Sequence, residues 1–243
     1  MCIAAIAWQA HPRWRLVVAA NRDEYHARPS APAGHWHDQP TIIAGRDLQS
    51  GGTWLGVNEQ GYFTLVTNHR VPGYPLPGRP SRGALVTSLL LGDDPAAVAI
   101  DAFNPFNLFC AAPDRAMLLT NYPDDERHIV TPGVHGLSNG PIGRFWPKTR
   151  QLCSELRGWL DHESAQPEQL FAALRKEAPQ PCAPGEAGPE PRLSPVFIRD
   201  AVYGTRCSTV MAIDHHGRGT LIEHSFSGSG ERTGETVMTF TWP

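Results

Sequence analysis

An α+β fold, with two sheets inside and helices outside them, is the class that the order of elements predicts. Apolar stretches of strand length come in groups: strands, two helices, strands, two helices, strands. They show neither an internal repeat nor the regular β-α alternation of a doubly wound parallel sheet. No shift in composition divides the 243 residues, so one domain over residues 1–243 is expected, long enough to bury a sizeable core without disulfide or metal staples.

Taken in order, Ile3 to Trp8 and Leu16 to Ala20 are short apolar runs separated by a polar stretch containing Pro12, which reads as a hairpin-like pair. Their alanines suit strands packed closely on both faces. Ile42 to Ala44, Thr53 to Val57 and Tyr62 to Thr67 continue the strands, the last two joined by a turn ending in Gly61. Ser81 can cap a helix over Arg82 to Leu91, which Gly92 stops. A second short helix is expected to start at Pro95. Strands return at Leu108 to Ala111, Ala116 to Thr120 and His128 to Val130. Leu152, Leu156, Trp159 and Leu160 make one stripe of a helix over Lys148 to Leu160, and another helix is expected over Pro167 to Lys176. Pro179 to Pro195 is a proline-rich loop. Strands at Ser208 to Ile213, Thr220 to His224 and Thr236 to Thr241 end the chain.

Composition excludes several classes. A formal net charge of −3 argues against nucleic acid as the main partner. The cysteines at 2, 110, 153, 182 and 207 contain no C-x-x-C pair, so neither a zinc site nor a disulfide framework is expected, and reduced thiols fit best. The first residues lack the basic start and long apolar stretch of a secretory leader, and no run approaches the ~20 residues that span a bilayer. The expectation is a soluble cytoplasmic protein. His35-x-His37 and His215-His216 lack a third ligand at a set spacing and read as loop residues.

Cys2 has a distinctive chemistry. Removal of Met1 would place a thiol and a free α-amine on one residue. An α-amine titrates near 7.7–8.0, so a substantial fraction is neutral around pH 7.5 and can serve as general base. The first apolar run would hold this nucleophile at a sheet end. The second ends in Asn21-Arg22-Asp23-Glu24. If the two strands pair antiparallel, Arg22 and Asp23 flank Cys2, a cation to lower the thiol pKa and a carboxylate to hold the amine.

Met1-Cys2-Ile3 followed by Ala20-Asn21-Arg22-Asp23-Glu24 resembles the NRDE family, also called the transport and Golgi organisation family. Gly51-Gly52-Thr53-Trp54-Leu55-Gly56, Thr67-Asn68, Gly136-Leu137-Ser138-Asn139 and Tyr203 to Val210 extend the resemblance over nearly the whole chain. It implies an N-terminal-nucleophile hydrolase-like αββα four-layer sandwich, with the N-terminal-cysteine amidases as close catalytic analogues. It also implies roles: Cys2 as nucleophile, its amine as base, Arg22 and Asp23 as positioning residues, Asn68 and Asn139 as oxyanion-hole candidates, and Arg206 as a second active-site arginine. In those amidases the Arg and Asp are separated by two residues. Here they are adjacent, which leaves open which side chain faces the thiol.

The loop from Asn68 to Arg82 carries His69, Arg70, Arg79 and Arg82 among prolines and can steer an anionic small molecule. Trp54 and Trp146, like Trp36, are available to line an apolar pocket. The expected activity is amide-bond hydrolysis or acyl transfer on a small molecule, with no required cofactor. The resemblance equally allows a haem-trafficking protein that binds haem in the same cleft without catalysis, or lipid or acyl-CoA handling. Oligomeric state is left open.

Overall fold

The computed structural model describes residues 2–162, 166–183 and 188–243. Met1, on whose removal the cysteine chemistry depends, and the 184–187 part of the second proline-rich loop lie outside the described residues.

Two antiparallel sheets are stacked face to face. The first has the order β10-β1-β2-β11-β12-β13, from β1 (Cys2–Trp8), β2 (Trp14–Tyr25), β10 (Gly133–Leu137), β11 (Tyr203–Asp214), β12 (Arg218–Phe226) and β13 (Arg232–Thr241). The second runs β3 to β9 in sequence order: β3 (Ser30–His35), β4 (Ile42–Asp47), β5 (Leu55–Asn58), β6 (Tyr62–Asn68), β7 (Phe106–Ala111), β8 (Ala116–Asn121) and β9 (Asp125–Ile129). Helix α1 (Arg82–Leu90) covers the second sheet, and α2 (Pro147–Leu160) with the short α3 (Phe171–Leu174) covers the first. This is the expected αββα layering.

Alternation along the strands explains the layers. Side chains of a strand point to opposite faces with period two. In β1, Ile3, Ala5 and Ala7 pack under α2 and α3, while Ala4, Ile6 and Trp8 enter the core between the sheets. In β2, Val17 and Ala19 take the helix side, and Leu16, Val18 and Ala20 the inter-sheet side. Both sheet faces are therefore dry at this end. Among the described residues no helix is long and apolar enough to cross a membrane.

The differences from the sequence expectations have local causes. β2 does not stop at Ala20 but runs through the polar tetrad to Tyr25, because β11 pairs with it as far as Tyr203. Strands β3 and β10 were not expected. They hold Pro32 and Gly34, and Gly133 and Gly136, residues that disfavour strands, and each lies at a sheet edge. No helix forms at Pro95; only a 3₁₀ turn follows at Ile100–Ala102. The segment from Pro167 splits into a 3₁₀ turn, Pro167–Leu170, and α3. The α1 signals act as read: the Ser81 side chain accepts from Gly83 N at 3.2 Å, and Gly92 takes φ 98°.

Candidate active site

The antiparallel pairing of β1 with β2 sets Cys2 directly opposite Arg22, and β11 sets Cys207 opposite Arg22 on its other side. Directly opposed residues share a face, so the three form one rung facing the space between the sheets. Cys2 and Cys207 are two strand spacings apart, roughly 10 Å, too far for a disulfide. Asp23, next along β2, points to the helix side, where Thr205 Oγ1 donates to its Oδ1 at 2.7 Å. The adjacency of Arg22 and Asp23 is thereby resolved: the guanidinium shares the face of the thiol, and the carboxylate lies behind the sheet.

Each member of the tetrad has a separate task. Asn21 is fully buried; its Nδ2 donates to the carbonyls of Leu174 and Val196, both at 2.9 Å, and its Oδ1 accepts from Ser208 Oγ at 2.6 Å. It ties the helical layer to the sheet. Arg22 donates to Asp47 Oδ2 at 3.2 Å, which also takes Arg28 Nε at 2.6 Å. Glu24 stands half-buried at the cavity edge, with its Oε1 accepting from Tyr25 N at 2.8 Å.

The Cys2 main-chain nitrogen donates to Asn139 Oδ1 at 3.1 Å. Asn139 Nδ2 gives one hydrogen to Asn68 O at 2.6 Å, leaving one of its two amide hydrogens uncommitted by that bond. The main chain of Arg70 donates to Asn139 O at 2.9 Å. The β6 end and the segment after β10 thus lock Asn139 onto the cysteine. Burial pushes the Cys2 thiol up, Asp23 adds to that, and Arg22 opposes it.

Lys148, in the first turn of α2, was not singled out by sequence. It is fully buried and its Nζ donates to Leu193 O at 3.0 Å. Burial lowers its pKa, opposed by the charges of Asp23 and Cys2. Burial likewise raises the Asp23 carboxyl, with Lys148 pulling it back. A positively charged Lys148 therefore favours ionised Asp23. Lysine on a helix is common, and nothing in the sequence marks this one as internal.

Arg22, Cys207 and Glu223 face a cavity of about 550 Å³ between the sheets, which Cys2 also lines. Glu223 of β12 is buried and bridges the sheets, accepting from Ala33 N of β3 at 2.7 Å and from Thr209 Oγ1 at 3.2 Å. Burial raises its pKa, and it raises that of Cys207 in turn, after burial itself. Arg82 stands over the same cavity because α1 starts there: a Cβ on Gly52 would collide with the backbone of Gly83, so the glycine pair lets the helix close onto the sheet.

The remaining candidates fall in different places. Asn68 lies where the cavity meets an outer groove of about 920 Å³, and Trp54 lines the inner cavity. His69, Arg70 and Trp146 line the outer groove. His69 is buried edge-on to Tyr122, with ring centroids 5.1 Å apart, and burial lowers its pKa. Arg70 pairs with Glu190 at 2.5 Å. Arg206 reaches the cavity, but its Nη1 donates to the carbonyls of Tyr25, His26 and Arg28. It closes the turn from β2 to β3. Trp36 packs in the core under α1 and lines neither space.

A sequence profile described as Transport and Golgi organisation 2 matches residues 1–228. The "Transport and Golgi organization 2 homolog" of Mus musculus is 31% identical, the alignment covering 93% of each chain, and the Bos taurus homolog is 32% identical over 98% of this chain and 97% of its own. The Drosophila melanogaster protein is 24% identical over 94% and 93%. Among solved structures, the chain is similar to the Caenorhabditis elegans ortholog of N-acylethanolamine-hydrolyzing acid amidase, at TM-score 0.55 and 11% identity over 86% of this chain and 92% of that one. It is also similar to a mutant conjugated bile acid hydrolase from Clostridium perfringens, at TM-score 0.57 and 8% identity over 98% and 92%. At these identities the structural likeness concerns the fold.

Proposed function

The chain belongs to the Transport and Golgi organisation 2 family, and on that premise, with its fold shared with N-terminal-nucleophile hydrolases, we propose that it cleaves or transfers the acyl group of a small-molecule amide through Cys2. The observation that carries the reading is the bond from Cys2 N to Asn139 Oδ1 beside a cavity-facing thiol. After loss of Met1 that nitrogen becomes a primary amine already oriented by Asn139. It takes the thiol proton, and Sγ attacks the substrate carbonyl. The oxyanion accepts hydrogen bonds from Asn68 and the second amide hydrogen of Asn139, an interaction of the kind typically worth about 3–4 kcal/mol. The C–N bond then breaks, the leaving amine takes the proton from the Cys2 ammonium, and a thioester remains. Water, deprotonated by the Cys2 amine, attacks the thioester and releases the acid and the thiol; a second nucleophile in place of water gives acyl transfer.

Asp23 and Lys148 are positioning residues behind the sheet, and Arg22 supplies positive charge on the thiol's face. A resident haem fits the cavity poorly. Among the described residues neither histidine nor methionine lines it, and burial favours the neutral form of both its thiols, Cys2 and Cys207.

The test begins with intact mass, which is expected to show Met1 removed from protein produced in cells. An acylating or alkylating thiol probe is then expected to label Cys2 ahead of the other four cysteines, and Cys2→Ala to lose amide turnover by about a thousandfold or more. Retention of Met1, or an unlabelled Cys2, would refute the hydrolase reading.

A further inference from the structure

The inner cavity holds more positive charge than its own carboxylates neutralise. Among the described residues six arginines line it, Arg22, Arg28, Arg46, Arg79, Arg82 and Arg206, against the carboxylates of Glu24, Asp47 and Glu223; Asp23 touches the wall, but its carboxylate lies behind the sheet. Three of the arginines are accounted for by acids: Asp47 takes Arg22 and Arg28, and Asp38 grips Arg46 through two bonds at 2.5 and 2.7 Å. Of these carboxylates Glu223 is engaged by Ala33 N and Thr209 Oγ1.

The other three arginines are held by main-chain carbonyls. Arg79 Nη1 donates to Asp101 O at 2.5 Å and Phe103 O at 3.1 Å, Arg82 Nη1 to Pro105 O at 3.1 Å, and Arg206 Nη1 to three carbonyls at the end of β2 and just beyond it. A carbonyl orients a guanidinium without cancelling its charge. Among the described residues none of the three makes an ion pair. Arg82 is largely removed from solvent, and burial depresses its pKa while Cys2 and Glu24 oppose the shift. Glu24 at the cavity edge acts on both Arg82 and Arg206, and one carboxylate offsets at most one of the three charges. A shielded cation short of counter-charge is costly, and the planar fork of a guanidinium suits the oxygens of a carboxylate or phosphate.

We infer that the inner cavity is an anion subsite, in which Arg82, assisted by Arg79 and Arg206, binds a carboxylate or phosphate carried by the same molecule whose acyl carbonyl meets Cys2. The inference rests on the proposed acyl chemistry only for the second half of that statement. It makes the substrate an anionic amide with its charged group deep in the cavity and its opposite end toward the outer groove. Of the arginines lining the outer groove, Arg70 is already paired with Glu190, Arg192 is exposed to solvent, and Arg82 is shared with the inner cavity, so the shielded charge that selects for an anion lies on the inner side.

Isothermal titration of the full-length Cys2→Ala protein tests this without needing catalysis. Glutarate and inorganic phosphate are the anionic probes, and glutaramide, the neutral counterpart of glutarate, is the control. At least one anion is expected to bind saturably, more weakly as sodium chloride rises, and glutaramide is expected not to bind. Arg82→Gln should weaken that binding by about tenfold, and Arg79→Gln, at an exposed position that does not threaten folding, by about threefold. Phosphate alone binding would assign the subsite to phosphates, and glutarate alone to carboxylates. Equal binding of glutarate and glutaramide, no binding of either anion, or anion binding unchanged in Arg79→Gln and in a folded Arg82→Gln would overturn the inference. Because the thiol is absent throughout, anion binding in a protein whose native Cys2 fails to acylate would refute only the acyl chemistry. An acylating Cys2 without anion binding would refute only the subsite.

Discussion

Two successive stretches of β2, Leu16 to Ala20 and Asn21 to Asp23, are both buried and differ in what buries them. From Leu16 to Ala20 the strand is enclosed by hydrocarbon on both faces. From Asn21 to Asp23 it is enclosed as well, but by hydrogen-bond partners and charges supplied from β11, β4 and the segments around α3. An apolar strand needs only neighbours of the right volume. A buried polar strand needs particular atoms at particular positions, because each unmet donor or charge keeps its full desolvation cost. The first stretch therefore anchors the fold, and the second can place a nucleophile, a cation and a carboxylate within one strand's length.

Two substitutions separate the stretches, and a third, in β12, probes the charged cavity beside the polar stretch; the largest expected effect comes first. Leu16→Ala removes a fully buried side chain from the inter-sheet core and should cost about 2–5 kcal/mol in denaturant unfolding, while the Cys2 labelling rate of the folded fraction stays unchanged. A change in labelling comparable to that of a tetrad variant would show that the two stretches are not separable.

Asn21→Ala leaves the carbonyls of Leu174 and Val196 without their side-chain donor and Ser208 without its acceptor. A loss of about 1–3 kcal/mol is expected. Unlike Leu16→Ala, it should also increase amide hydrogen exchange in α3 and around Val196, since the tie between that layer and the sheet is gone. Unaltered exchange there would place the asparagine's importance elsewhere.

The smallest effect concerns pH. Burial raises the Glu223 carboxyl above its ordinary value, so the folded state prefers it protonated. Its favourable contribution is present at low pH and is lost as pH rises from the ordinary carboxylate range through the raised folded value. Over that range above the ordinary value, wild-type stability should fall with increasing pH relative to Glu223→Gln, which keeps an acceptor for Ala33 N but does not titrate. Parallel melting curves for the two proteins across that range would remove the carboxyl as the source.

Much of the layering was legible because it follows from local rules. The Ser81 cap and Gly92 stop delimit α1, the leucine stripe delimits α2, and the alanine-rich runs are β1 and β2. The edge strands β3 and β10 were not legible, since their proline and glycine are tolerated only at a sheet edge, β3 pairing through an irregular register with the neighbouring β4 and β10 with the distant β1. Within the candidate site, Cys2, Arg22, Asp23 and Asn139 come together around the end of β1, whereas His69, Arg70 and Trp146 belong to the outer groove.

By itself the sequence determined the class of fold, the position of a cysteine at the start of a buried strand, and a polar tetrad that antiparallel pairing would bring beside it. Only the tertiary structure decided that Arg22 shares the thiol's face while Asp23 turns to Lys148's side, that Asn139 holds the Cys2 nitrogen, and that Arg82, Cys207 and Glu223 share the thiol's cavity. Alternation along a strand says that neighbours diverge but not which face meets a cavity. That is settled by which strands pair, in what register, and what layer packs on each side, contacts that join residues more than a hundred positions apart.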